Sequence, residues 1–387
     1  MEQTLTLVCK LQPSKEQVAK IEATLKAFAD ACNYANQVVK PAITSKRTIQ
    51  SLVYDSIREQ FGLSANLAVR VCARVGANRK TAKVKGKPVK VFKPTSADYD
   101  ARIFAFREKD WSASLTLNGG REHIKLQAAN YQTGKLKGRK PTSAQLCKHK
   151  DGLYYLHIQL TDDVPEQILS NKVIGVDFGR RDIAVTNHGD RWDGKQIKDA
   201  RDKFARVRAS LQHKASQGTK ATRKGCRRAL KRLSGRERKY QTWLNHTISR
   251  AIIADAKTSN AIVAIEDLTG IRECTNQKPR NKTERRRSSS WAFYQLRQFL
   301  EYKGIQSGVE VIAVPPAWTS QTCHQCLHIG LRSDKVFKCG NCSWHGDADF
   351  NAANVISLLG GSVSGLEHAV LACLLNESKA SAKAPCL

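Results

Sequence analysis

Acidic residues are scarce in this sequence, which has 34 Asp and Glu against 65 Lys and Arg among 387 residues. A disordered basic tail protein is excluded, because 41% of the residues are hydrophobic and can form cores. The net charge of +31 therefore lies on folded surfaces. Clustered surface Lys and Arg are typical of nucleic-acid binding, since neutralised phosphates release counterions. The length, at about 150 residues per domain, predicts two or three domains.

The sequence also lacks a signal peptide and a membrane-spanning run. Residues 1–13 alternate like a strand and contain no apolar core of a signal peptide. The longest late apolar stretch, 358–375, is interrupted by Glu367, His368 and glycines. A membrane-surface protein, the rival explanation of the basic charge, would need an amphipathic helix or a lipidation signal. We therefore expect a cytoplasmic protein with no membrane partner.

A disulfide framework is missing although the chain has 12 cysteines. Eight of them are scattered without regular spacing: Cys9, Cys32, Cys72, Cys147, Cys226, Cys274, Cys373 and Cys386. The other four form two C-x2-C pairs separated by twelve residues: Cys323, Cys326, Cys339 and Cys342. This spacing suits four thiolates around one zinc ion and predicts a closed, structural zinc ribbon. The competing ligands are three nearby histidines, His324, His328 and His345.

The first half of the chain predicts a small β-barrel with a helical insertion. A strand over 2–11 precedes a helix that begins with a capping box at Ser14 and Gln17 and runs to about Val39. Two more helices follow, over 48–61 and 64–80. Short β-prone runs with Gly and Asn turns then occur over 89–92, 103–107, 114–117, 123–126, 145–147 and 153–160. The N-terminal strand is expected to complete the barrel.

The second half reads as α/β after a linker over 162–170. Strands are predicted at 173–178, 183–186, 261–265 and 309–314, and helices at 288–303 and 350–359. Residues 201–240 hold fifteen Lys and Arg against Asp202 and Glu237 alone. Such a segment is either a solvated helix pair or a nucleic-acid contact. We favour the contact, because solvated helices normally interleave Glu with Lys.

Asp177 stands at the end of the apolar run K-V-I-G-V-D. A carboxylate in such a run is costly unless it is paired or binds a metal. Alternation places Asp177 on the face opposite Ile174 and Val176, and Gly175 and Gly179 are expected to leave room there for a bulky ligand.

Two further acids occupy comparable positions. Glu266 ends the predicted strand 261–265, and Asp349 is expected to be the N-cap of the last helix, with Asp347 as the alternative ligand. Singly, Asp177 reads equally well as a turn residue, Glu266 as a solvated strand end and Asp349 as a plain cap. Together they predict a carboxylate cluster for two Mg²⁺ ions, which clamp the attacking and leaving oxygens in phosphodiester hydrolysis.

The motifs VIGVDFG, AIVAIEDL, TSQTCHQC, KCGNC and DADFNAAN, in this order, closely resemble the TnpB family of transposon-encoded RNA-guided nucleases, relatives of the type V CRISPR effectors. The stretch Thr6–Asn36 also resembles the family's N-terminus. By this resemblance the chain is a multidomain α+β protein whose RuvC nuclease domain has an RNase H-like fold. Asp177, Glu266 and Asp349 would be its catalytic triad, with the zinc ribbon inserted just before the last acid.

The resemblance implies a domain layout along the whole chain. It assigns a wedge-like β-barrel to 1–12 and 89–165, a helical recognition domain to 13–88, the RuvC domain to 171–315 and 347–360, the zinc ribbon to 316–346 and a partly disordered tail to 361–387. The basic segment 201–240 would line a guide and target channel. A second basic run, 278–287, would be either a mobile loop near the active site or a disordered surface loop.

The resemblance further implies an RNA-guided, Mg²⁺-dependent DNA endonuclease of a prokaryotic cytoplasm, associated with the nucleoid. Its partners would be a guide RNA and double-stranded target DNA with a short target-adjacent motif, with one or two protomers per RNA. The alternatives are a guide-dependent DNA-binding protein that no longer cuts, an RNA-independent resolvase or transposase, and a zinc-dependent regulator. The last leaves the carboxylates unexplained.

Overall fold

The computed structural model describes residues 2–89, 91–168, 170–179, 181–270 and 292–363. The chain divides into two compact units, Met1–Asp163 and Val164–Leu387. None of the described helices is long and apolar enough to cross a bilayer. The predicted basic loop 278–287, the first residues of the predicted helix 288–303 and most of the predicted tail lie outside the described residues.

The first unit contains a seven-stranded antiparallel sheet in the described part of the chain. Its strands are β1 (Glu2–Gln12), β2 (Ser96–Asp100), β3 (Phe104–Arg107), β4 (Ser112–Leu117), β5 (Gly120–Gln127), β6 (Ser143–Lys148) and β7 (Tyr154–Asp163). Their order is β2-β6-β7-β1-β5-β4-β3. The sheet nearly closes, and the Tyr99 hydroxyl on β2 donates to the Thr116 carbonyl on β4 at 3.1 Å. A small barrel that includes the N-terminal strand was the prediction, and the nearly closed sheet agrees with it.

Helices α1 (Lys15–Val38), α2 (Lys46–Phe61) and α3 (Ala65–Val84) lie between β1 and β2, and α4 (Asn130–Leu136) follows β5. The predicted capping box at Ser14 and Gln17 is confirmed. The strand predicted over 89–92 is wrong for its described residues. The backbone of Phe92 instead donates to the Asn33 side chain at 2.8 Å and accepts from it at 2.9 Å, so its polar groups are satisfied without a neighbouring strand.

The second unit contains a mixed sheet of five strands in its described residues, in the order β10-β9-β8-β11-β12. These strands are β8 (Val173–Asp177), β9 (Asp182–Thr186), β10 (Arg191–Asp193), β11 (Ile262–Glu266) and β12 (Val311–Val314). β8, β9 and β10 pair antiparallel, whereas β8, β11 and β12 pair parallel. Its helices are α5 (Lys195–Gln217), α6 (Lys220–Leu233), α7 (Arg236–Thr258), α8 (Phe293–Ser307) and α9 (Ala348–Val363). A small sheet of β13 (Leu331–Ser333), β14 (Val336–Lys338) and β15 (His345–Asp347) precedes α9.

The two faces of the five-stranded sheet have separate cores, as the alternation in the sequence predicts. Ile174 and Val176 belong to the large core that also contains residues of α7 and α8. Ala264 on β11 packs with residues of α9 on the other face. A Cβ on Gly175 would lie 2.0 Å from the Ala353 carbonyl oxygen of α9. The prediction that this glycine leaves room for a ligand is therefore wrong, because the helix itself occupies the space.

Candidate functional site

Two of the predicted acids lie at the carboxyl ends of neighbouring parallel strands. Asp177 is the last residue of β8 and Glu266 the last of β11. Ile265 pairs with Val176, so the next residues along each strand, Glu266 and Asp177, are neighbours. Alternation from Ala264, which faces α9, puts Glu266 on the α9 face, and Asp177 shares that face with Gly175.

Asp349 reaches the same face from α9, but not as the predicted N-cap. The helix begins at Ala348, and the carboxylate of Asp347 caps it by accepting hydrogen bonds from the backbone of Asp349 at 3.0 Å and of Phe350 at 2.9 Å. Asp349 lies in the first turn and is only 4% exposed. The prediction that Asp349 is the N-cap is therefore wrong, and its carboxylate does not cap the helix.

The surroundings of the cluster raise the pKa of two of the carboxylates, Asp177 and Glu266. The pKa of Asp177 is raised well above its ordinary value, first by desolvation and then by the negative charges of Glu266 and Asp349. Glu266 is 6% exposed, and burial raises its pKa to about 6 against the hydrogen bond from Thr319 and the charge of Arg332. An acidic group in such surroundings is stabilised by any bound cation.

Two basic side chains that the sequence did not predict contact this cluster. Arg332, on β13, donates to Asp349 Oδ1 at 2.8 Å, and Lys335, in the turn before β14, donates to Asp349 Oδ2. Lys335 also donates to Asp182 Oδ2 at 2.6 Å, an oxygen that accepts from Arg191 at the same distance. The β13–β14 hairpin therefore brings positive charge beside the acids.

A buried hydroxyl fixes the orientation of Glu266. Thr319 is 1% exposed, and its Oγ1 donates to Glu266 Oε1. Thr319 is the first residue of the motif TSQTCHQC. The cysteines of this motif were predicted to be metal ligands, whereas no role was predicted for the Thr319 hydroxyl. The available signal in the sequence was a polar residue in the segment between the strand 311–314 and the first C-x2-C pair.

The site is bordered by a cavity of about 800 Å³, whose lining includes Asp182 and Lys335. Its remaining walls come from the start of α5, from α7 and from the start of α8, with residues such as Arg201, Gln241 and Phe293. Asp177, Glu266 and Asp349 do not line this cavity, which adjoins their cluster through Asp182 and Lys335.

We expect Glu266→Gln to raise the free energy of unfolding by about 2 kcal/mol at pH 7.5 in Mg²⁺-free buffer that contains zinc. The folded pKa of about 6 lies above the ordinary 4.5, so the folded state holds the proton more tightly than the unfolded chain does. Ionisation therefore lowers stability as pH rises from 4.5 to 6, and the loss is complete above that range. A neutral amide avoids the loss and still accepts from Thr319. Urea titration measures the difference.

Glu310→Gln is the matched control, because Glu310 is partly exposed and forms no ion pair with a described residue. We expect it to change stability by less than about 0.5 kcal/mol. The advantage of Glu266→Gln should shrink as the pH falls below about 6 and as Mg²⁺ is added to the wild type. An advantage that is independent of both pH and Mg²⁺ would contradict the electrostatic explanation.

The four cysteines converge as predicted. The Sγ atoms of Cys323 and Cys342 are 3.6 Å apart, and those of Cys326 and Cys339 are 3.4 Å apart. Four sulfurs at about 2.3 Å from a tetrahedral zinc ion would be separated by about 3.8 Å, so this cluster fits zinc. A hydrogen bond from the backbone of His328 is the main cause that lowers the pKa of Cys326 to about 5, which favours the thiolate.

Two of the three competing histidines have other partners. His324 Nδ1 lies 2.9 Å from Asn351 Oδ1, and His328 Nδ1 lies 3.0 Å from the Cys326 carbonyl oxygen. Among the described residues, the four cysteines are the sole group of three or more metal-ligating side chains whose ligand atoms all lie within 4.8 Å of one another. The three carboxylates are therefore spaced more widely than a single-ion cage.

Asn351 connects the cysteine cluster to the carboxylates. It is completely buried on α9, where its Oδ1 accepts from the backbone of His324 at 3.0 Å and its Nδ2 donates to the Thr322 carbonyl at 2.7 Å. Asn351 lies two residues after Asp349, so one turn of α9 holds both the first cysteine knuckle and the third acid. The asparagine of the D-x-N motif therefore has a structural role, because it attaches the first C-x2-C pair to α9.

The basic segment 201–240 lies mostly in the helices α5, α6 and α7. On α6 only Cys226 is buried, and seven cations project from it: Lys220, Arg223, Lys224, Arg227, Arg228, Lys231 and Arg232. No carboxylate of the described residues forms an ion pair with any of these seven side chains. Glu237 pairs instead with Arg201 of α5 at 3.7 Å and with Arg208 at 3.6 Å. This surface needs an external anion to offset its charge.

Comparisons with known proteins agree with the motifs. The family model described as Cas12f1-like, TNB domain matches residues 293–356, which include α8, the cysteine cluster and the start of α9. The TnpB-like protein MJ0751 of Methanocaldococcus jannaschii is 34% identical over 41% of this chain and 55% of its own length. The CRISPR-associated endodeoxyribonuclease Cas12f1 of Sulfoacidibacillus thermotolerans is 29% identical over 58% of this chain and 54% of its own.

The chain thus spans about half the length of these curated relatives. The solved structure of the mini-RNA-guided endonuclease CRISPR-Cas_phi3 covers 94% of this chain and 92% of its own, with a TM-score of 0.53 and 11% identity, which is a likeness of fold alone. The two relatives and the matching domain model support a relation of this chain to the TnpB family and to the type V CRISPR effectors.

Proposed function

We propose that the protein is an RNA-guided DNA endonuclease in which Asp177, Glu266 and Asp349 are the catalytic carboxylates. The observation that carries the proposal is the meeting of these three acids on one face of a sheet, at the ends of β8 and β11 and at the start of α9. The order of the sheet, with an antiparallel β8–β10 meander beside the parallel β11 and β12, supports an RNase H-like, RuvC-type domain.

The donor set fits Mg²⁺, because carboxylate oxygens are the ligands that hard cations prefer. Spacing beyond a single-ion cage suits two ions, which stand about 3.5–4 Å apart in two-metal sites. When bound, such ions supply a nucleophilic water and neutralise charge on the reacting phosphate. The positive charge of the bound ions would lower the raised pKa values of Asp177 and Glu266 and so favour both carboxylates in their ionised form.

The chain's own residues would orient the acids and receive the substrate. Thr319 holds one oxygen of Glu266, and Arg332 and Lys335 hold Asp349 until a phosphate competes for their charge. Both cations lie beside the place where the scissile phosphate would approach. Asp347 caps α9 with Oδ1 and pairs with Arg191 through Oδ2 at 2.8 Å, so we assign the third ligand to Asp349.

The nucleic-acid surface would begin at the basic helices α5 and α6. Their uncompensated charge supports a channel for a guide and target heteroduplex, which a protein holds by backbone shape and not by sequence. In the first unit, the nearly closed sheet of 1–12 and 89–165 would grip the guide scaffold and the target-adjacent motif, and the helices of 13–88 would form the recognition domain.

Reconstitution tests the proposal directly. The protein is purified with the RNA that accompanies it, the RNA is sequenced, and its guide is replaced by one of chosen sequence. We expect cleavage of matched duplex DNA in Mg²⁺ and none of a mismatched duplex. Removal of Mg²⁺ should stop cleavage but leave RNA binding unchanged, because phosphate contacts by Lys and Arg need no divalent ion.

The alternatives give different results in the same experiment. Guided binding without any cleavage in Mg²⁺ would identify a DNA-binding protein that no longer cuts. Cleavage of branched or transposon-end DNA without RNA would identify a resolvase or transposase, and the proposal would then be wrong.

A further inference from the structure

Trp243 projects from the outer face of α7. The buried side of this helix carries Gln241, Asn245 and Ile248, whereas the Trp243 side chain is 57% exposed. A single exposed apolar residue is ordinary on a protein surface. The surroundings of this indole are not ordinary, because they combine a fixed aromatic neighbour with unpaired positive charge.

Tyr240 fixes one side of the indole. The two rings stack with centroids 5.7 Å apart and an interplanar angle of 30°. Tyr240 itself packs against the large core of the second unit, and its hydroxyl donates to Gln196 Oε1 at 3.2 Å. A ring held in this way loses little further freedom when a ligand stacks on its open face.

Two cations flank the indole without an acidic partner. Arg238, Lys239, Thr242 and His246 line, with Trp243, a surface depression of about 440 Å³. This volume lies within the range of about 300–1,000 Å³ typical of small-ligand sites. Neither Arg238 nor Lys239 forms an ion pair with any described carboxylate, and the adjacent Glu237 is already paired with α5.

The aromatic surface continues past the depression. The His246 ring stacks on Phe299 of α8 at 3.9 Å, and Phe299 meets Tyr302 edge to face at 5.8 Å. Lys303 lies 5.9 Å from the Phe299 ring centre and donates to the His246 carbonyl at 2.7 Å. Aromatic rings and cations are therefore interspersed on α7 and on the adjoining α8.

We infer that Trp243 stacks on an unpaired base of a single-stranded nucleic acid whose phosphates contact Arg238 and Lys239. Alternating aromatic faces and cations are what single-strand binding surfaces use, because every base has a stacking face. A protein partner fits less well, since the cores of protein interfaces are depleted of charge. The inference rests on the proposed function only in that the protein binds nucleic acid, and it requires neither a guide nor cleavage.

Trp243→Ala is the test, with binding of fluorescent oligonucleotides to the RNA-free full chain followed by anisotropy. The probes are oligothymidylate, oligouridylate and an abasic oligonucleotide of equal length and charge. We expect about a tenfold loss of affinity for the base-bearing strands and no change for the abasic one. Trp243→Phe, which keeps an aromatic face, should retain most of the affinity. The site belongs to DNA if Trp243→Ala loses more affinity for oligothymidylate, and to RNA if it loses more for oligouridylate.

Two control variants separate stacking from other effects. Tyr294→Ala removes another exposed aromatic ring, 59% exposed on α8, and should leave binding within about twofold. Arg238→Gln should weaken all three probes alike and lower the salt dependence by about one counterion.

Three results would overturn the inference. An equal loss on the abasic strand would show that stacking is not involved, and an unchanged affinity of Trp243→Ala would show that the indole does not bind. If the wild type sedimented with a higher mass than Trp243→Ala in the absence of nucleic acid, this face would be a protein interface. If the wild type bound none of the probes, the proposed function would fail together with the inference, whereas the first three results leave it standing.

Discussion

Asp177→Asn is expected to lower guided DNA cleavage by at least about a thousandfold, which corresponds to about 4 kcal/mol of transition-state stabilisation. The amide cannot supply the negative charge that a divalent ion needs, and Asp177 is the central acid, whose pKa responds to both Glu266 and Asp349. The measurement is single-turnover cleavage of a matched target at saturating protein. Guide RNA binding and target binding should remain within about twofold, because the asparagine has the same shape.

A matched pair of variants on α9 sharpens this result. Asp349→Asn should lose cleavage as Asp177→Asn does, whereas Asp347→Asn should keep it. Asparagine is as good an N-cap as aspartate, so Asp347→Asn still accepts from the backbone of Phe350. The loss of the partly exposed ion pair with Arg191 should lower stability by less than about 1 kcal/mol. Cleavage by Asp349→Asn together with its loss in Asp347→Asn would contradict our assignment of the third ligand. Wild-type cleavage by Asp177→Asn would contradict the carboxylate mechanism.

Local patterns along the chain were enough to predict two of the three acids in place. The alternation through Ile174 and Val176 correctly separated the faces of β8, because side chains of a strand point alternately to opposite sides. Glu266 was predicted from its position at the end of a second buried strand. The cluster of four cysteines was equally predictable, because two short spacings of the kind that suits zinc define it.

The remaining features depend on contacts between distant segments. The contact between Lys335 and Asp182 could not be predicted from the sequence, because 153 residues separate them. It forms only when the β13–β14 hairpin packs against the five-stranded sheet. Gly175 was misread for the same reason, since only the three-dimensional approach of α9 shows what fills the space beside it. The N-cap was misplaced by two residues, because Asp347 and Asp349 both satisfy the local preference for a cap.

The cysteine-bearing segment has too small a core to fold by itself. Its buried cluster consists of Cys323, Phe337, Cys339 and Ala348, with Cys326 and Trp344 packed partly against it. Domains of this size normally depend on a metal or on disulfides, because they bury too little apolar surface to offset the ordering of their backbone. Yet this segment carries both Arg332 and Lys335 to Asp349. The order of the carboxylate face should therefore depend on the four cysteines.

Cys339→Ser is accordingly expected to unfold the ribbon and to abolish cleavage together, while guide RNA binding stays within about threefold. Structural zinc contributes about 10–16 kcal/mol of apparent binding energy in small zinc domains, far more than four buried residues can replace. Three measurements check the expectation: zinc released per chain, amide hydrogen exchange over 321–347, and single-turnover cleavage. Zinc content should fall from one to near zero, and exchange over 321–347 should approach that of an unfolded chain.

Cys226→Ser is the control, because Cys226 is also a buried cysteine, 8% exposed on α6, and lies outside the cluster. It should keep its zinc, its exchange protection and its cleavage. Exchange of β8 and β11 should stay protected in Cys339→Ser, since their core is formed by other residues, such as Ile174 and Val263. Local loss of order with an intact sheet would then show that the ribbon supports catalysis by positioning Asp349, Arg332 and Lys335. A Cys339→Ser protein that retains one zinc and full protection over 321–347 would contradict this dependence.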